Sequence, residues 1–282
     1  MSLLIIAPTK DPTPWTIALH QQDPTLAVQV WPHEGDRTQV EFALCWQQPP
    51  DIWRNYPNLR CISSLGAGVD HLLGDATLPP DVPVVRLIDP LLAQSMFEYI
   101  CTAALNHLRE FDRYQAQQAT ATWEPRSPRS ISATTIGLMG LGALGCYAAP
   151  RLAAVGFNVV GWARSPKHLP GIHSYVGPSE LSAFLARSQI LVCLLPLTPA
   201  TEGILNLDLF QQLPPAAYLI NPARGAHLVE ADLLTALAAG YLSGACLDVF
   251  HQEPLPADHP FWPHPALRVT PHCASLTDPA SV

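Results

Sequence analysis

Short apolar runs recur along the chain, and polar or helix-forming stretches separate them. In the first third, five runs have the length and composition of buried strands: Leu3–Ala7, Val28–Trp31, Ala43–Trp46, Cys61–Ser64 and Val84–Leu87. Six more such runs follow Thr135: Ile136–Met139, Val159–Trp162, Ile190–Leu194, Ala217–Ile220, Gly244–Leu247 and Arg268–Thr270. Strands that alternate with helical stretches are typical of parallel sheets covered by helices. The pattern therefore predicts an α/β protein with two successive sheets, the second of them doubly wound.

A long amphipathic helix is predicted between the two series of strands. From Ser95 to about Ala121 the chain has no glycine or proline, and apolar residues return every three or four positions. A polar loop over 124–132 follows. The second series has further helical stretches, including Leu144–Val155 and Glu230–Ala239.

The composition is that of a folded chain with room for two domains. Of the 282 residues, 48% are hydrophobic and 13% charged, which favours a buried core over disorder. We place the domain boundary just before the long helix. The first domain is then 1–94 and the second 95–275, with 276–282 as a candidate segment that returns to the first.

Charge and cysteine usage exclude several classes of function. The formal net charge of −8 argues against a nucleic-acid or anionic membrane surface, and no apolar run is long enough for a membrane span. The start lacks a basic region and its apolar run breaks at Pro8, so we expect a first strand in place of a signal peptide, and a cytoplasmic protein. The seven cysteines are odd in number and none forms a Cys-x-x-Cys pair, so neither disulfides nor a metal site is expected.

A glycine trio marks the start of the second series. Gly140, Gly142 and Gly145 follow the strand candidate Ile136–Met139 and lead into a helical stretch. In this arrangement the first glycine permits a tight turn, the second lets the backbone approach a pyrophosphate, and the third lets the helix lie close to the strand. Phosphates would bind the N–H groups at the positive end of the helix. Three glycines by themselves would also fit a structural turn, but the strand and helix around them favour a dinucleotide site.

The segment expected to meet the cofactor's ribose favours NADP(H), with NAD(H) as the alternative. About 20 residues after the first glycine, NAD-binding sites carry an Asp or Glu that holds the ribose 2′-hydroxyl. This chain has Trp162-Ala-Arg-Ser-Pro-Lys167 there and lacks a carboxylate. Arg164, Ser165 and Lys167 are suited to a 2′-phosphate; the other interpretation is a solvated basic loop.

Polar side chains that follow later strand candidates suit one reaction class. Arg224 and Asp248 each come after a strand candidate, and His272 directly follows the last one. Because loops at the carboxyl ends of parallel strands border the ligand crevice, these side chains can converge beside a cofactor. Arg224 would bind a substrate carboxylate, His272 would exchange a proton, and Glu253 would orient the imidazole and favour its charged form. Each also has an ordinary reading as a surface or structural residue. Of the 11 histidines, only His272 combines a strand end with such partners.

The full set of motifs resembles that of the D-isomer-specific 2-hydroxyacid dehydrogenases, most of all their glyoxylate/hydroxypyruvate reductase A branch. Besides the glycine trio, the motifs in order are Ser64-Leu-Gly-Ala-Gly68-Val-Asp70, Leu195-Pro-Leu-Thr198-Pro, Asn221-Pro-Ala-Arg-Gly, Asp248-Val-Phe-x-x-Glu253-Pro and Thr270-Pro-His272. The resemblance runs from about residue 40 to the C-terminus. It implies two Rossmann-like domains, a flavodoxin-like substrate domain and a doubly wound dinucleotide-binding domain, with the active site in the cleft.

The resemblance also implies roles for individual residues. It assigns catalysis to Arg224, Glu253 and His272 and brings Asp248 near the nicotinamide carboxamide. The substrate-binding residues that it implies are Trp46, Ala67, Gly68 and Arg224. The cofactor-binding residues that it implies are Gly140, Gly142, Ala143, Leu144, Gly145, Arg164, Ser165, Lys167, Leu195, Pro196, Thr201, Pro222, Ala223, Asp248 and Ala274.

The implied activity is the NADPH-dependent reduction of small 2-keto acids, glyoxylate to glycolate and hydroxypyruvate to D-glycerate, by a homodimer that the long helix supports. Two alternatives stay open: a dehydrogenase for another D-2-hydroxy acid, and a non-catalytic protein that senses a dinucleotide and controls assembly. The second would not require the trio of Arg224, Glu253 and His272. Members of the family continue past the histidine into a further helix that returns to the first domain, whereas this sequence ends at Val282.

Overall fold

The structure, a computed structural model, describes residues 1–277 and separates the chain into two compact units, Met1–Ile88 and Asp89–Val282. Each unit has its own parallel sheet and its own apolar core. The division lies a few residues before the boundary expected from the sequence, because the helix after it begins earlier than expected. Residues 278–282, most of the segment expected to return to the first unit, lie outside the described residues.

The first unit is a five-stranded parallel sheet with strand order β2-β1-β3-β4-β5. Its elements are β1 (Ser2–Ile6), α1 (Thr13–Gln22), β2 (Ala27–Val30), β3 (Val40–Cys45), β4 (Cys61–Ser64), α2 (Asp70–Leu73) and β5 (Val84–Arg86), with 3₁₀ turns at Arg37–Gln39 and Ile52–Asn55. This is the flavodoxin-like order, and all five predicted strands are confirmed.

The second unit is a seven-stranded parallel sheet with strand order β12-β11-β10-β9-β6-β7-β8. Its helices are α3 (Pro90–Arg109), α4 (Phe111–Ala119), α5 (Ala143–Val155), α6 (Leu181–Leu185), α7 (Leu207–Phe210) and α8 (Glu230–Ala238), with 3₁₀ turns at Ile131–Ala133, Pro178–Glu180 and Gly225–His227. Its strands are β6 (Thr135–Met139), β7 (Asn158–Ala163), β8 (His173–Val176), β9 (Ile190–Cys193), β10 (Ala217–Asn221), β11 (Leu242–Leu247) and β12 (Leu267–Val269). The chain reverses its winding between β6 and β9, so the sheet is doubly wound as predicted.

The central strands of this sheet are covered on both faces. Every residue of β9 and β10 is buried, which is why β9 and the first four residues of β10 are unbroken apolar runs in the sequence. All six predicted strands are confirmed. The edge strand β8 was not predicted, since His173, Ser174 and Tyr175 give it no apolar run.

The single helix expected over 95–121 is wrong in its start and in its continuity. Asp89 caps α3 by accepting the N–H of Leu91 at 3.0 Å, and Pro90 occupies the first turn, where its missing N–H costs nothing. Glu110 then adopts a left-handed backbone with φ of 54° and separates α3 from α4. Its carboxylate pairs with Arg126 and, at 3.5 Å, with Arg113. Within residues 1–277, neither α3 nor another helix combines the length and the hydropathy that a membrane crossing needs.

Candidate active site

The glycine trio forms the turn between β6 and α5 as the sequence predicts. Gly140 has φ of 113°, and a Cβ there would lie 2.7 Å from the carbonyl oxygen of Leu194. A Cβ on Gly145 would lie 2.0 Å from the carbonyl oxygen of Gly140, so only glycine lets α5 approach the turn this closely. Two of the three glycines are therefore required by close packing of the backbone.

The remaining glycine, Gly142, leaves open space in front of the helix. A Cβ on Gly142 would meet no atom within 4 Å, and Gly142 is the N-cap of α5. Ala143 and Leu144 follow in the first turn, where backbone N–H groups have no partner within the helix and point out along its axis. An open glycine cap beside such N–H groups fits the pyrophosphate of a dinucleotide.

The basic segment expected to hold a 2′-phosphate follows β7 directly. Arg164, Ser165 and Lys167 are all exposed at the carboxyl end of that strand, next to β6 in the sheet. They lie at the sheet edge where the glycine turn is found.

Thr201, one of the residues expected to contact the cofactor, holds the loop after β9 in shape. The hydroxyl of Thr201 donates to the carbonyl of Pro196 at 2.7 Å and accepts the N–H of Thr198 at 2.9 Å. Leu195 and Pro196 directly follow β9, and β9 is the neighbour of β6 in the sheet. This loop therefore borders the point where the winding of the sheet reverses.

A buried asparagine shapes the turn that carries Arg224. Asn221 ends β10, accepts the N–H of Ala223 at 3.2 Å and donates to the carbonyl of Arg224 at 3.0 Å. Pro222 lies inside this turn. The Arg224 guanidinium donates to the carbonyl of Ala223 at 2.6 Å. The Asn221 side chain thus sets the backbone from which the guanidinium extends.

The turn after β10 and the loop after β11 interlock. A Cβ on Gly225 would lie 1.9 Å from the carbonyl carbon of Phe250, so the two backbones touch. In the same place, His251 Nε2 lies 2.7 Å from the carbonyl oxygen of Leu228. Arg224 and Glu253, far apart in the sequence, are therefore carried by adjacent loops.

His272 and Glu253 form the pair that the sequence predicts. Nδ1 of His272 lies 2.7 Å from Oε2 of Glu253, and the other carboxylate oxygen accepts the N–H of Phe250 at 3.0 Å. Both side chains are about one-third exposed. Because this bond occupies Nδ1, the other ring nitrogen, Nε2, is the one that can exchange a proton with a ligand.

The electrostatic surroundings keep Glu253 ionised. Burial by itself would raise the pKa of this carboxyl, but the hydrogen bonds from His272 and the Phe250 N–H, together with the charges of His272 and Arg224, outweigh it. The pKa of Glu253 is therefore lowered from its ordinary value. A carboxylate that stays charged can stabilise an imidazolium beside it.

Asp248 is fully buried, and its carboxylate holds the loop that carries His272. It accepts the hydroxyl of Thr270 at 2.6 Å and the N–H groups of Cys273 and Ala274 at 2.9 and 2.8 Å. The expected contact of Asp248 and Ala274 with a cofactor stays a prediction. What the structure adds is an anchoring role for the carboxylate.

The three substrate residues expected in the first unit come together within it. Trp46 follows β3, and its ring packs against Gly66. A Cβ on Gly66 would lie only 2.9 Å from Cζ3 of the Trp46 ring. Ala67 and Gly68 lie in the same loop, which Ser64 closes by donating to the carbonyl of Gly68 at 2.7 Å and accepting the N–H of Gly66 at 3.1 Å. Trp46 thus packs on the loop after β4.

The family model for the NAD binding domain of D-isomer specific 2-hydroxyacid dehydrogenases matches residues 101–274. The chain belongs to that family. The expectation drawn from the motifs is confirmed. Among curated relatives, the glyoxylate/hydroxypyruvate reductase A of Serratia proteamaculans is 45% identical, with 99% of this chain and 90% of the relative covered. That of Escherichia fergusonii is 43% identical over 99% of this chain and 91% of the relative.

Solved structures of the family have the same fold. A D-isomer specific 2-hydroxyacid dehydrogenase from Xanthobacter autotrophicus, in complex with NADPH and MES, is 40% identical with a TM-score of 0.94 and covers 99% of this chain and 90% of its own. An NADPH-dependent glyoxylate/hydroxypyruvate reductase from Sinorhizobium meliloti, in complex with NADP and sulfate, is 40% identical with a TM-score of 0.91 and covers 98% and 90%. The two-sheet α/β architecture is thus shared with dehydrogenases that bind this cofactor.

Sequence reasoning gave no role to three of the residues that hold the site together, Asn221, Thr270 and Tyr99. Asn221 and Thr270 stand inside recognised motifs, and a polar residue at the end of a strand candidate or directly after it was a signal for both. Tyr99, which bonds Thr270, offered no signal, because 171 positions separate the two residues in the chain.

Proposed function

We propose that this dehydrogenase reduces small 2-keto acids with NADPH, converting glyoxylate to glycolate and hydroxypyruvate to D-glycerate. The observation that carries the proposal is the 2.7 Å bond between His272 Nδ1 and Glu253, which directs Nε2 of the imidazole to proton transfer. The relatives named glyoxylate/hydroxypyruvate reductase A support the choice of substrates.

In the proposed reaction, bound NADPH supplies a hydride to the carbonyl carbon of the substrate. Arg224 binds the substrate carboxylate with two parallel N–H bonds and stabilises negative charge that develops on the adjacent oxygen. His272 donates the proton on Nε2 to that oxygen as the alcohol forms. Glu253, kept ionised by its lowered pKa, stabilises the imidazolium before the transfer and fixes the ring.

The residues proposed to hold the cofactor divide by what they recognise. The open cap at Gly142, with Ala143 and Leu144, is suited to the pyrophosphate. Arg164 and Lys167 are suited to the 2′-phosphate, which supports NADP(H) over NAD(H) as the preferred cofactor. The remaining assignments are Gly140, Gly145, Ser165, Leu195, Pro196, Thr201, Pro222, Ala223, Asp248 and Ala274.

The first unit is proposed to be the substrate domain. The backbone of Ala67 and Gly68 would bind the carboxylate end of the substrate, and Trp46, which packs on their loop, would contact it. A dehydrogenase for a different D-2-hydroxy acid would use the same residues. A protein that only senses the dinucleotide would gain nothing from the His272–Glu253 pair.

A panel of keto acids assayed with NADPH and with NADH tests the proposal. We expect glyoxylate and hydroxypyruvate to give the largest kcat/KM, with NADPH favoured about 10-fold or more over NADH because two cations replace the usual carboxylate. Pyruvate and phosphohydroxypyruvate serve as controls for size and charge. Turnover confined to another keto acid would reassign the substrate, and NADPH binding without turnover of any would favour the sensing role.

We also propose a homodimer located in the cytoplasm. Phe111 and Trp123, on and after α4, expose 57% and 97% of their surface, and large exposed aromatic side chains are typical of interfaces. All seven cysteines are free thiols, as in a reducing compartment. Light scattering on the purified chain should give twice the monomer mass.

A further inference from the structure

A chain of hydrogen bonds runs from α3 to the loop of His272. Tyr99 Oη lies 2.8 Å from Thr270 Oγ1 and 3.2 Å from Cys246 Sγ. Thr270 Oγ1 in turn donates to Asp248 Oδ1 at 2.6 Å. The reaction proposed above uses neither Tyr99 nor Thr270. We call this set of four side chains the α3 network.

The donor and the acceptor of every bond in the α3 network follow from Asp248, the residue at its end. The Asp248 carboxylate can only accept, so the single hydrogen of the Thr270 hydroxyl is committed to it. Thr270 Oγ1 must then accept from Tyr99, and Tyr99 Oη is left to accept from the thiol of Cys246. Burial, together with the neighbouring Cys246, raises the pKa of Tyr99, so its hydroxyl keeps the hydrogen that it donates.

The same carboxylate fixes the backbone on the far side of His272. It accepts the N–H groups of Cys273 and Ala274, while the N–H of His272 donates to the carbonyl of Asp248 at 2.8 Å. His272 itself has φ of 52°, in the left-handed region that a residue with a side chain adopts at a cost in free energy. The imidazole is therefore aimed from a strained backbone that these bonds help to hold in place.

We propose that Tyr99 and Thr270 are positioning residues for His272. The Thr270 hydroxyl and the two N–H groups share one buried carboxylate, and Tyr99 fixes that hydroxyl from α3. Losing the hydroxyl leaves Asp248 with one donor fewer and frees the strained turn to relax. The ring of His272 then loses the placement that Glu253 by itself does not supply. This inference rests on the proposed proton transfer by His272.

Three variants of the full chain and one control test the proposal. Thr270→Val removes the hydroxyl at nearly constant volume, Thr270→Ser keeps it, and Tyr99→Phe removes only the outer donor. Thr134→Val is the matched control, because Thr134 is 5% exposed and its hydroxyl donates to the carbonyl of Ser130, outside the α3 network. Two readouts are measured: kcat and KM for glyoxylate and NADPH, and amide hydrogen exchange at Cys273 and Ala274 in the protein without cofactor.

We expect kcat to fall about 10- to 100-fold in Thr270→Val, because misplacing a catalytic group by an ångström costs on that order, while KM for NADPH changes less than about 3-fold. Thr270→Ser should recover kcat to within about 3-fold, and Tyr99→Phe should lower it about 3- to 10-fold. Amide exchange at Cys273 and Ala274 should quicken about 10-fold in Thr270→Val and stay unchanged in Thr134→Val.

The proposal is overturned if Thr270→Val keeps kcat within about 2-fold of the unaltered chain, or if Thr134→Val loses as much activity. Should Thr270→Val fail to fold, Tyr99→Phe decides, and unchanged kcat there overturns the proposal. If the unaltered chain reduces no keto acid, the proposed function fails separately. The exchange rates at Cys273 and Ala274 then still test whether the α3 network holds the turn.

Discussion

Two loops at the carboxyl edge of the second sheet are built in opposite ways. The loop after β7 displays Arg164, Ser165 and Lys167 to solvent. The loop after β12 is bound through Thr270 and Cys273 to a carboxylate with no exposed surface. Long cationic side chains suffice to attract a phosphate, because charge acts over several ångströms. Proton transfer requires atoms in hydrogen-bond contact, and this protein fixes the group concerned from buried partners.

The sharpest test of this difference is to remove the fixed imidazole. His272→Ala should lower kcat for glyoxylate by about 10²- to 10⁴-fold, since general acid catalysis contributes that much. Titration of NADPH by fluorescence should give a dissociation constant within about 2-fold of the unaltered chain. His20→Ala, on the exposed face of α1, is the control and should leave both values unchanged. Near-normal turnover in His272→Ala would remove this residue from the mechanism.

A second test concerns a half-buried group that packs against the same sheet. His107 on α3 stacks on Tyr218 with ring centroids 4.0 Å apart. Burial, helped by the charge of Arg129 and opposed by Glu110, lowers the pKa of His107 to about 4. The unfolded chain takes up this proton near pH 6.5, so the folded state loses stability as the pH falls from there towards 4.

We expect the unfolding free energy to drop by about 1–2 kcal/mol between pH 7 and pH 5 on account of His107. His107→Phe keeps a ring for Tyr218 and cannot titrate. The difference between the two proteins in urea unfolding should therefore change with pH below 6.5 and be flat above 7. If the difference in unfolding free energy did not change with pH at all, burial would not lower the pKa of His107 as expected.

The smallest effect is expected in the exposed loop. Arg164→Ala should raise KM for NADPH about 10-fold, or about 1.4 kcal/mol, and leave KM for NADH within about 2-fold. Arg151→Ala removes the same charge from α5, where Arg151 lies over the ring of Tyr147, and controls for net charge. Equal effects on the two cofactors would return Arg164 to an ordinary solvated cation.

The sheets were predictable because burial on both faces leaves a visible trace. In a parallel sheet covered by helices the strands are nearly continuous apolar runs, so β9 and β10 stand out from their surroundings. The break between α3 and α4 leaves no such trace. Glu110 enters the left-handed region without a glycine, supported by Arg126 from a later loop. The edge strand β8 is held by pairing with β7, which composition does not reveal.

The candidate site was predictable where the type of a residue by itself indicates its chemistry. Glycine, arginine, histidine and glutamate at strand ends indicate phosphates, carboxylates and proton transfer, and the His272–Glu253 pair is confirmed as a contact. The supports of the site could not be found in this way. Tyr99 is one aromatic residue among many on a helix, and its partner Thr270 becomes its neighbour only after the sheet has formed.

The packing of Gly225 against Phe250 bears on how such enzymes diversify. Because the two backbones touch, the turn that presents Arg224 has no independent freedom from the segment that presents Glu253. A substitution that moves the backbone of the Arg224 turn would therefore clash with the segment of Glu253, and the reverse also holds. Laboratory attempts to retune substrate choice here should exchange both segments as a unit, and chimaeras that import only one should express poorly before any question of rate arises.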